Sequence, residues 1–502
     1  MFKRVLIANR GEIAVRIQRG CRALGVETVA VYSDADAEAL HVRMADEAVR
    51  LGPAPSTESY LDQEKVLAAA AETGAEAIHP GYGFLSENAE FARKVEAAGL
   101  VWIGPPPSAM DTMGDKVSAR AAAEAAGVPV APGSEALRDA DHAAQEAERI
   151  GYPVMLKASA GGGGIGMRIV HDPALLASEF DSATKQAASA FGVPDVFMEK
   201  FIERPRHIEI QILADGHGNV LHLYERECSI QRRHQKLLEE APSPALSQEE
   251  REAIGARGVE LARQVGYVNA GTLEFLFERG ADGSPMFYFN EMNTRLQVEH
   301  PVTEAVTGLD LVQWQLRIAA GEKLTVQQED VQLKGHAIEL RINAEDPEQG
   351  FLPSPGPVQR LRLPRGRGIR VDGGLYEGWT VPSAYDSMVL KLITHGRNRD
   401  VAADRAIAAL DDMELEGFTT NAAFHHVLLE HPAFREGDLS TRFLEEHDIV
   451  AGDPSAVERA RAAAVVAALL QAPGGGLAGL QLRQHTPPVV ALRPGRRDWR
   501  SD

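Results

Sequence analysis

The chain has 502 residues, of which 44% are hydrophobic and 25% charged, a composition typical of a globular protein with several domains. Its 52 basic and 72 acidic residues leave a net charge of -20, which argues against nucleic acid or an anionic membrane as the main partner. The two cysteines, Cys21 and Cys228, lie outside any CxxC pair, and no leader-like or membrane-length apolar run is present. We therefore expect no disulfide framework, no zinc site, no membrane association and a cytoplasmic localisation.

A βαβ unit is predicted at the start of the chain. Residues 3–8 are typical of a buried strand, 13–24 have helical periodicity, and 28–32 form a second strand-like run. Further strands of the same sheet are expected at 77–79 and 100–103. This pattern favours a Rossmann-like sheet, but ANRGEIAVR holds one glycine where a dinucleotide-binding fingerprint needs three.

Two glycine-rich segments follow. HPGYGFLSEN (79–88) is either a functional loop or simply a tight turn at a helix entrance. A strand predicted to end at Lys157 leads into four consecutive glycines at 161–164, with Gly166 shortly after. Backbone N–H groups of such a loop close around phosphate oxygens and Lys157 adds a cation, which favours a phosphate site over a flexible turn. Because the pattern is not GxxxxGK[ST], the P-loop class is excluded.

A basic segment, HLYERECSIQRRHQK (222–236), stands out in this acidic chain. Its basic side chains are Arg226, Arg232, Arg233, His234 and Lys236. Such a local cluster is predicted to meet an anion. For Arg232 and Arg233, a solvated loop is the alternative.

Polar residues occupy every second position after an aromatic strand at 286–289. They are Glu291, Asn293, Arg295, Gln297 and Glu299. An extended backbone would place all five on one face, and the alternative interpretation is the wet face of an edge strand. Carboxylate and amide oxygens suit Mg²⁺, a guanidinium binds an anion, and Glu299 can accept a proton. Glu274, a carboxylate among apolar neighbours in a predicted strand at 271–277, completes a set of oxygen ligands for one or two Mg²⁺ ions.

After Gln332 the chain changes to short strands and prolines, with Arg341 in mid-strand. Helices predicted at 402–413 and 421–430 close this mixed α+β unit. An Ala-rich helix at 455–471 and an irregular tail follow, and they suggest no chemistry.

Eight ordered motifs give the chain a specific resemblance to the biotin carboxylase family, over about residues 2–446. The motifs are IANRGEIAVR, HPGYGFLSEN, MGDK, GGGGIGM, ECSIQRRHQK, EMNTRLQVEHPVTE, RINAEDP and YDSMVLKL. The resemblance implies an α/β and α+β fold with a Rossmann-like N-terminal domain, a central ATP-grasp domain with a lid, and a mixed C-terminal domain. With it we place the domains at 1–112, 113–331 (lid about 130–204) and 332–447, followed by the tail at 448–502.

The resemblance also implies an activity. In this family, bicarbonate attacks the γ-phosphate of MgATP to give carboxyphosphate, which supplies CO₂ to N1 of biotin on a lysine of a carrier protein. The implied cofactors are Mg²⁺ (or Mn²⁺) and ATP, with carrier-bound biotin as substrate. The implied partners are the biotin carboxyl carrier protein, the carboxyltransferase subunit of an acetyl-CoA or acyl-CoA carboxylase, and a second copy of the chain. The sequence contains no Ala/Val-Met-Lys-Met biotin attachment motif, so we expect a separate carrier.

Roles carried over from the family fall into four groups. The residues that resemble its nucleotide and phosphate ligands are Lys116, Lys157, Gly163, Gly164, Met167, Glu199, Lys200, Phe201, Ile202, His207, Gln231, His234 and Leu276. Those that resemble its Mg²⁺ ligands are Glu274, Glu291 and Asn293, and those that resemble its bicarbonate pocket are Lys236, Arg295, Gln297 and Val298. Glu299 resembles the base that deprotonates bicarbonate, while Tyr82 and Arg341 resemble the biotin site, with Arg341 stabilising the biotin enolate. The implied catalytic residues are therefore Lys236, Arg295, Glu299 and Arg341.

Two positions depart from the family pattern. Ile165 stands in the glycine loop where relatives commonly carry Arg or Lys, and Ala160 replaces a glycine of some relatives. The rival interpretations are another ATP-grasp ligase, a nicotinamide-dependent oxidoreductase and a non-catalytic scaffold. HPGYGFLSEN together with RRHQK disfavours another ATP-grasp ligase. The missing glycine fingerprint disfavours the oxidoreductase, and the intact row of polar residues at 291–299 disfavours the scaffold.

Overall fold

The computed structural model describes residues 1–158, 167–191, 194–280 and 282–449, which belong to one compact unit. Four residues of the predicted glycine loop, Ala160, Gly163, Gly164 and Ile165, lie outside the described residues, as does the helix predicted at 455–471. Within the described ranges, no helix is both long and apolar enough to cross a bilayer.

The N-terminal sheet has five parallel strands. They are β1 (Arg4–Ile7), β2 (Glu27–Ser33), β3 (Glu47–Gly52), β4 (Ala77–His79) and β5 (Val101–Trp102), connected by α1 (Gly11–Ala23), α2 (Leu40–Met44), α3 (Gln63–Thr73) and α4 (Ala89–Ala97). Their spatial order is β3-β2-β1-β4-β5. Val5, Leu6 and Ile7 are fully buried, as expected for a parallel strand covered on both faces. The predicted βαβ unit is therefore confirmed.

A small three-stranded antiparallel sheet forms the region of the predicted lid. The elements from the end of the first sheet onwards are α5 (Pro107–Gly114), α6 (Lys116–Ala125), α7 (Ala140–Ile150), β6 (Val154–Ala158), β7 (Arg168–Val170), α8 (Leu176–Phe191) and β8 (Val196–Lys200). The strands lie in the order β7-β6-β8. Leu156, Met198 and Phe180 belong to a separate apolar core under this sheet. This region thus carries its own hydrophobic support.

An eight-stranded sheet joins the central and C-terminal parts of the chain. Its strands are β9 (Arg206–Ala214), β10 (Val220–Arg232), β11 (Gln235–Ala241), β12 (Asn269–Arg279), β13 (Pro285–Asn293), β14 (His336–Asn343), β18 (Ile369–Gly373) and β19 (Met388–Gly396). Their order is β13-β12-β9-β10-β11-β14-β19-β18. β11 and β14 pair antiparallel with Leu238 opposite Leu340, so the strand that carries Lys236 lies beside the strand that carries Arg341.

Further helices and short strands complete the described chain. They are α9 (Gln248–Gln264), α10 (His300–Thr307), α11 (Leu311–Ala319), β15 (Glu345–Asp346), β16 (Leu352–Pro353), β17 (Arg360–Arg362), α12 (Arg399–Asp411), β20 (Glu414–Glu416), α13 (Ala422–Glu430), α14 (Pro432–Glu436) and α15 (Phe443–Glu446). α12 and α13 confirm the two helices predicted for this region. Val5 and Ile7 share one apolar core with Leu213 of β9 and Leu311 of α11, which joins the N-terminal and central sheets.

The prediction of an extended backbone over residues 291–299 is wrong beyond Asn293. β13 ends there, residues 294–297 are irregular, and a turn leads directly into α10 at His300. Pro301 explains the change, because proline is well suited to the first turn of a helix and cannot donate to a strand ladder. The five polar residues therefore do not lie along one straight strand, because the chain bends after Asn293.

Candidate active site

A cleft of about 2530 Å³ opens between the N-terminal turns, the small sheet and the large sheet. Every predicted site residue that the structure describes lines it. These residues are Tyr82, Lys116, Lys157, Met167, Glu199, Lys200, Phe201, Ile202, His207, Gln231, His234, Lys236, Glu274, Leu276, Glu291, Asn293, Arg295, Gln297, Val298, Glu299 and Arg341. Gly163 and Gly164 lie outside the described residues.

Lys236 is the centre of a buried charge network. Its ammonium lies 3.0 Å from Glu274 and 2.8 Å from Glu299, and it also donates to Glu209. The same Glu209 carboxylate accepts two hydrogen bonds, of 2.9 and 3.1 Å, from Arg226. Burial raises the cost of each charge, but the opposite charges outweigh it: the pKa of Glu209 and that of Glu274 are lowered, and the pKa of Lys236 is well above its ordinary value. These three groups are therefore ionised at neutral pH.

Glu299 lies between two cations. Lys236 contacts one of its oxygens at 2.8 Å, and Arg341 donates to the other at 3.0 Å. Burial opposes ionisation of Glu299, but Lys236 and then Arg341 outweigh it, so the pKa of the carboxyl is lowered. Arg341 also donates to Glu239 at 2.6 Å, and burial raises the pKa of Glu239 to about 7 despite that contact. A carboxylate with an aligned cation on each side can accept a proton from a substrate that shares those cations.

Two carboxylates face each other at the carboxyl end of β13. Glu274 and Glu291 are direct partners on β12 and β13, and Thr272 is opposite Asn293 in the same register. Burial, followed by the charges of Glu274 and Glu87, raises the pKa of Glu291. A divalent cation between the facing carboxylates would relieve this repulsion, and carboxylate and amide oxygens are ligands that Mg²⁺ prefers. Glu274, Glu291 and Asn293 therefore fit a Mg²⁺ site.

Two other clusters have suitable spacing for a metal, but each contains a group that is protonated in the metal-free protein, so a metal would have to displace a proton there. His207, Glu209 and Glu274 bring one ligand atom each within 4.8 Å of one another, as do Glu209, Cys228 and Glu299. Burial disfavours the charged imidazolium of His207, yet Glu274 above all raises its pKa to about 9, so its nitrogens are protonated at neutral pH. Burial raises the pKa of Cys228 well above its ordinary value, so the thiolate ligand is missing. Metal ligation requires the deprotonated forms.

Lys157 and Glu199 form an ion pair across the small sheet, where the nucleotide site is predicted. Arg120 lies 3.7 Å from the same carboxylate. Lys200 donates to the carbonyls of Gly151 and Tyr152 at 3.0 and 2.8 Å, which fixes the end of β8. Lys157 is therefore paired with a carboxylate of the neighbouring strand β8.

The HPGYG segment is a turn that brings Tyr82 to the cleft. Asn9 donates to the carbonyls of Pro80 and Tyr82 at 2.7 Å each, and Tyr82 donates its hydroxyl proton to Glu12. Gly81 has φ of 65°, and an added Cβ would lie 2.9 Å from the Asn9 amide nitrogen. The turn therefore requires glycine at this position. The predicted tight turn is confirmed, and a functional role of the segment stays a prediction.

The basic segment does not act as one cluster. Arg226 is fully buried, and the anion that it contacts is the Glu209 carboxylate of the protein itself; it also donates to Gln211 and Gln297 at 2.6 Å each. Arg232 stacks 4.4 Å above the Phe351 ring and donates to the Gly350 carbonyl. Arg226 lies on the same face of the sheet as Glu209, but this carboxylate and the two glutamines enclose its guanidinium, so it is not available to a further anion.

Sequence reasoning missed several residues that contact the site. These are Glu12, Glu209, Glu239 and Lys391. A signal existed for Glu209, since RHIEIQ alternates His207, Glu209 and Gln211 on one face of a strand. A signal also existed for Lys391, a lysine inside the apolar run MVLKLI.

We predict that His207→Gln changes stability in a pH-dependent way in metal-free protein. The raised pKa of His207 adds stability that is fully present below the unfolded value of about 6.5 and is lost as pH rises through about 9. The free energy of unfolding from urea titrations should therefore favour the wild type most at pH 6, with a smaller difference at pH 9.5. A difference that does not change with pH would contradict the charged state of His207.

Three family models match successive parts of the chain. Residues 1–110 match the family model "Biotin carboxylase, N-terminal domain", 115–327 match "Carbamoyl-phosphate synthase L chain, ATP binding domain", and 339–446 match "Biotin carboxylase C-terminal domain". The biotin carboxylase of Pseudomonas aeruginosa is 51% identical over 448 residues, which cover 89% of this chain and 98% of that protein. Biotin carboxylase 1 of Bacillus subtilis is 51% identical over 451 residues, which cover 90% of this chain and 100% of that protein.

A solved structure shows the same fold. The biotin carboxylase domain dimer of Hydrogenobacter thermophilus 2-oxoglutarate carboxylase, in complex with MgADP, ADP and bicarbonate, is 48% identical. It superposes with a TM-score of 0.82, covering 90% of this chain and 99% of that one. The predicted fold class, with an N-terminal, an ATP-grasp and a C-terminal domain, is confirmed. From sequence, fold and cleft together, this chain belongs to the biotin carboxylase family of ATP-binding carboxylases.

Proposed function

We propose that this enzyme carboxylates N1 of biotin on a carrier protein, using ATP and bicarbonate through carboxyphosphate. This would be the first half-reaction of an acetyl-CoA or acyl-CoA carboxylase. We place the enzyme in the cytoplasm and its product in fatty acid biosynthesis. The observation that carries the proposal is the position of Glu299. One carboxylate contacts both Lys236, the proposed bicarbonate cation, and Arg341, the proposed biotin cation. The base thus lies where both substrates must meet.

The first step needs positioning and positive charge more than covalent chemistry. Glu299 takes the proton of bicarbonate. The resulting anion is held by Lys236 and Arg295, together with Gln297 and Val298. An oxygen of this anion then attacks the γ-phosphate of ATP, and ADP leaves. Burial raises the cost of charge on Arg295, but Glu87 and Glu299 outweigh it and keep its pKa above its ordinary value. Arg295 donates to Asn293 at 2.7 Å, which links the anion pocket to the proposed metal ligands.

The nucleotide and metal are assigned to the other half of the cleft. Bound Mg²⁺ or Mn²⁺ would neutralise phosphate charge and would be held by Glu274, Glu291 and Asn293. The residues assigned to ATP in the described chain are Lys116, Lys157, Met167, Glu199, Lys200, Phe201, Ile202, His207, Gln231, His234 and Leu276, with Gly163 and Gly164 in the loop. Support comes from their common cleft and from the solved relative in complex with MgADP.

Carboxyphosphate supplies CO₂ to N1 of biotin in the second step. Biotin N1 is a very weak acid, so a guanidinium beside the developing enolate lowers its energy. Arg341 suits this role because its side chain is only 16% exposed and burial strengthens electrostatic stabilisation. Tyr82 forms the proposed opposite wall of the biotin site. A reactive centre at this depth also favours biotin on a long lysine arm of a carrier protein.

The proposed assembly contains the carrier protein, a second copy of this chain and the carboxyltransferase component of the complex. The dimer formed by the Hydrogenobacter relative supports the homodimer. A direct test of the function measures ADP release with biotin and bicarbonate, each present and absent. ADP release that needs both, with carboxybiotin as product, is expected. ADP release that depends on neither would instead favour another ATP-grasp ligase.

Lys236→Ala is predicted to abolish bicarbonate-dependent ATP cleavage. The variant removes the cation proposed to hold bicarbonate and leaves Glu299 with Arg341 alone. Nucleotide binding, measured by calorimetry, should stay within about threefold, a difference of well under 1.4 kcal/mol. The matched control is Arg232→Ala, which removes a cation from the same segment that contacts Gly350 and Phe351 instead. Equal loss of ATP binding and of cleavage in Lys236→Ala would contradict the bicarbonate assignment.

Glu274→Gln and Glu291→Gln are each predicted to raise the Mg²⁺ concentration needed for half-maximal ADP release. Each change removes an anionic oxygen ligand while keeping the side-chain volume. Glu278→Gln is a suitable control, because it lies further along β12 and contacts the Tyr288 hydroxyl. An unchanged Mg²⁺ requirement in both site variants would place the metal elsewhere.

A further inference from the structure

Lys391 is a fully buried lysine in the middle of β19. Its ammonium donates to the carbonyl of Val298 at 2.6 Å and lies 3.2 Å from a carboxylate oxygen of Glu12. That same oxygen accepts the hydroxyl proton of Tyr82. An apolar side chain of similar volume would avoid the desolvation cost of the ammonium, so packing alone does not account for a lysine here.

The carbonyls of two successive residues, Gln297 and Val298, are held from the protein interior. Nδ1 of the fully buried His300 lies 2.8 Å from the Gln297 carbonyl, and Lys391 holds the Val298 carbonyl. Because a carbonyl only accepts, the proton of this contact belongs to His300. Burial lowers the pKa of His300 well below its ordinary value, so the neutral ring donates from Nδ1.

These contacts fix the direction of two backbone donors. Both peptide bonds are trans, so each N–H points opposite to the carbonyl of the same peptide group. The N–H groups of Val298 and Glu299 are thereby turned away from His300 and Lys391, and both residues line the cleft. Neither N–H has an acceptor among the residues that the structure describes. Successive N–H groups of this kind form an anion-binding concavity.

We propose that Lys391 is a positioning residue: it holds the Val298 carbonyl so that two N–H groups face bicarbonate, and it holds Glu12 so that Tyr82 faces biotin. The inference rests on the proposed function and adds a physical link between its two substrate sites. Lys391 touches neither substrate. Its effect passes through the backbone at Val298 on one side and through the Glu12 carboxylate on the other.

The test is Lys391→Met, with Lys391→Gln as a second variant that keeps a neutral donor. We expect Lys391→Met to raise the KM for bicarbonate about tenfold or more, as for loss of a charge-assisted hydrogen bond that orients the pocket. Lys391→Gln should show a smaller rise. Binding of ATP by calorimetry should change less than twofold. The rise in Tm on adding bicarbonate to the MgADP-bound protein should shrink, which reports binding without turnover.

Arg399→Met is the control, because Arg399 is a cation with a side chain only 14% exposed that pairs instead with Glu240 and with carbonyls of α14. It should lower Tm without changing the KM for bicarbonate. If Lys391→Met raises that KM no more than the control does, or leaves the bicarbonate-induced shift in Tm intact, Lys391 is only a structural residue and the proposal fails.

Hydrogen exchange in the wild type tests the same geometry without any variant. Bicarbonate should slow exchange of the Val298 and Glu299 N–H groups in the MgADP-bound protein, and unchanged exchange would overturn the proposal even if neither variant folds. The proposed function fails separately, if the wild type releases no ADP in response to biotin and bicarbonate.

Discussion

Three buried carboxylates contact the ammonium of Lys236, and the charge states of the site residues depend on these contacts. Buried charges are stable only when paired, and Glu209 extends the pairing to a second cation, Arg226. The network therefore keeps Glu274 ionised and Glu299 deprotonated before any substrate binds. Such preorganised charge needs no rearrangement at the moment of reaction, which is the main source of electrostatic catalysis.

The continuity of the eight-stranded sheet determines which charges can meet. β11 carries Lys236 and Glu239, and its antiparallel partner β14 carries Arg341. Pairing of these two strands brings a residue of the third predicted domain to within 3.0 Å of Glu299, which precedes α10. The ATP-binding and C-terminal parts of the chain therefore share a backbone ladder as well as a cleft, and a shift of register would separate Glu299 from Arg341.

The part of the cleft proposed to bind the nucleotide differs from the part proposed to bind bicarbonate. Lys157 and Glu199 pair across a small sheet that has its own core, and both side chains are partly exposed. A partly exposed pair contributes little free energy, so a phosphate and an adenine can replace it at small cost. Lys236 and Glu299, by contrast, are almost fully buried. The proposed reaction centre is thus built from buried ion pairs and the proposed nucleotide site from a partly exposed one.

The sequence by itself determined the family, the fold class and most residues of the cleft, because ordered motifs and local periodicity are properties of short segments. Tertiary structure decided which side chains meet. Glu209 and Lys391 contact the site through strands far from its motifs, Arg226 is enclosed by Glu209 and Gln297, and the chain bends after Asn293. Strand pairing and burial select these contacts, and both depend on segments distant in the chain, so local periodicity cannot reveal them.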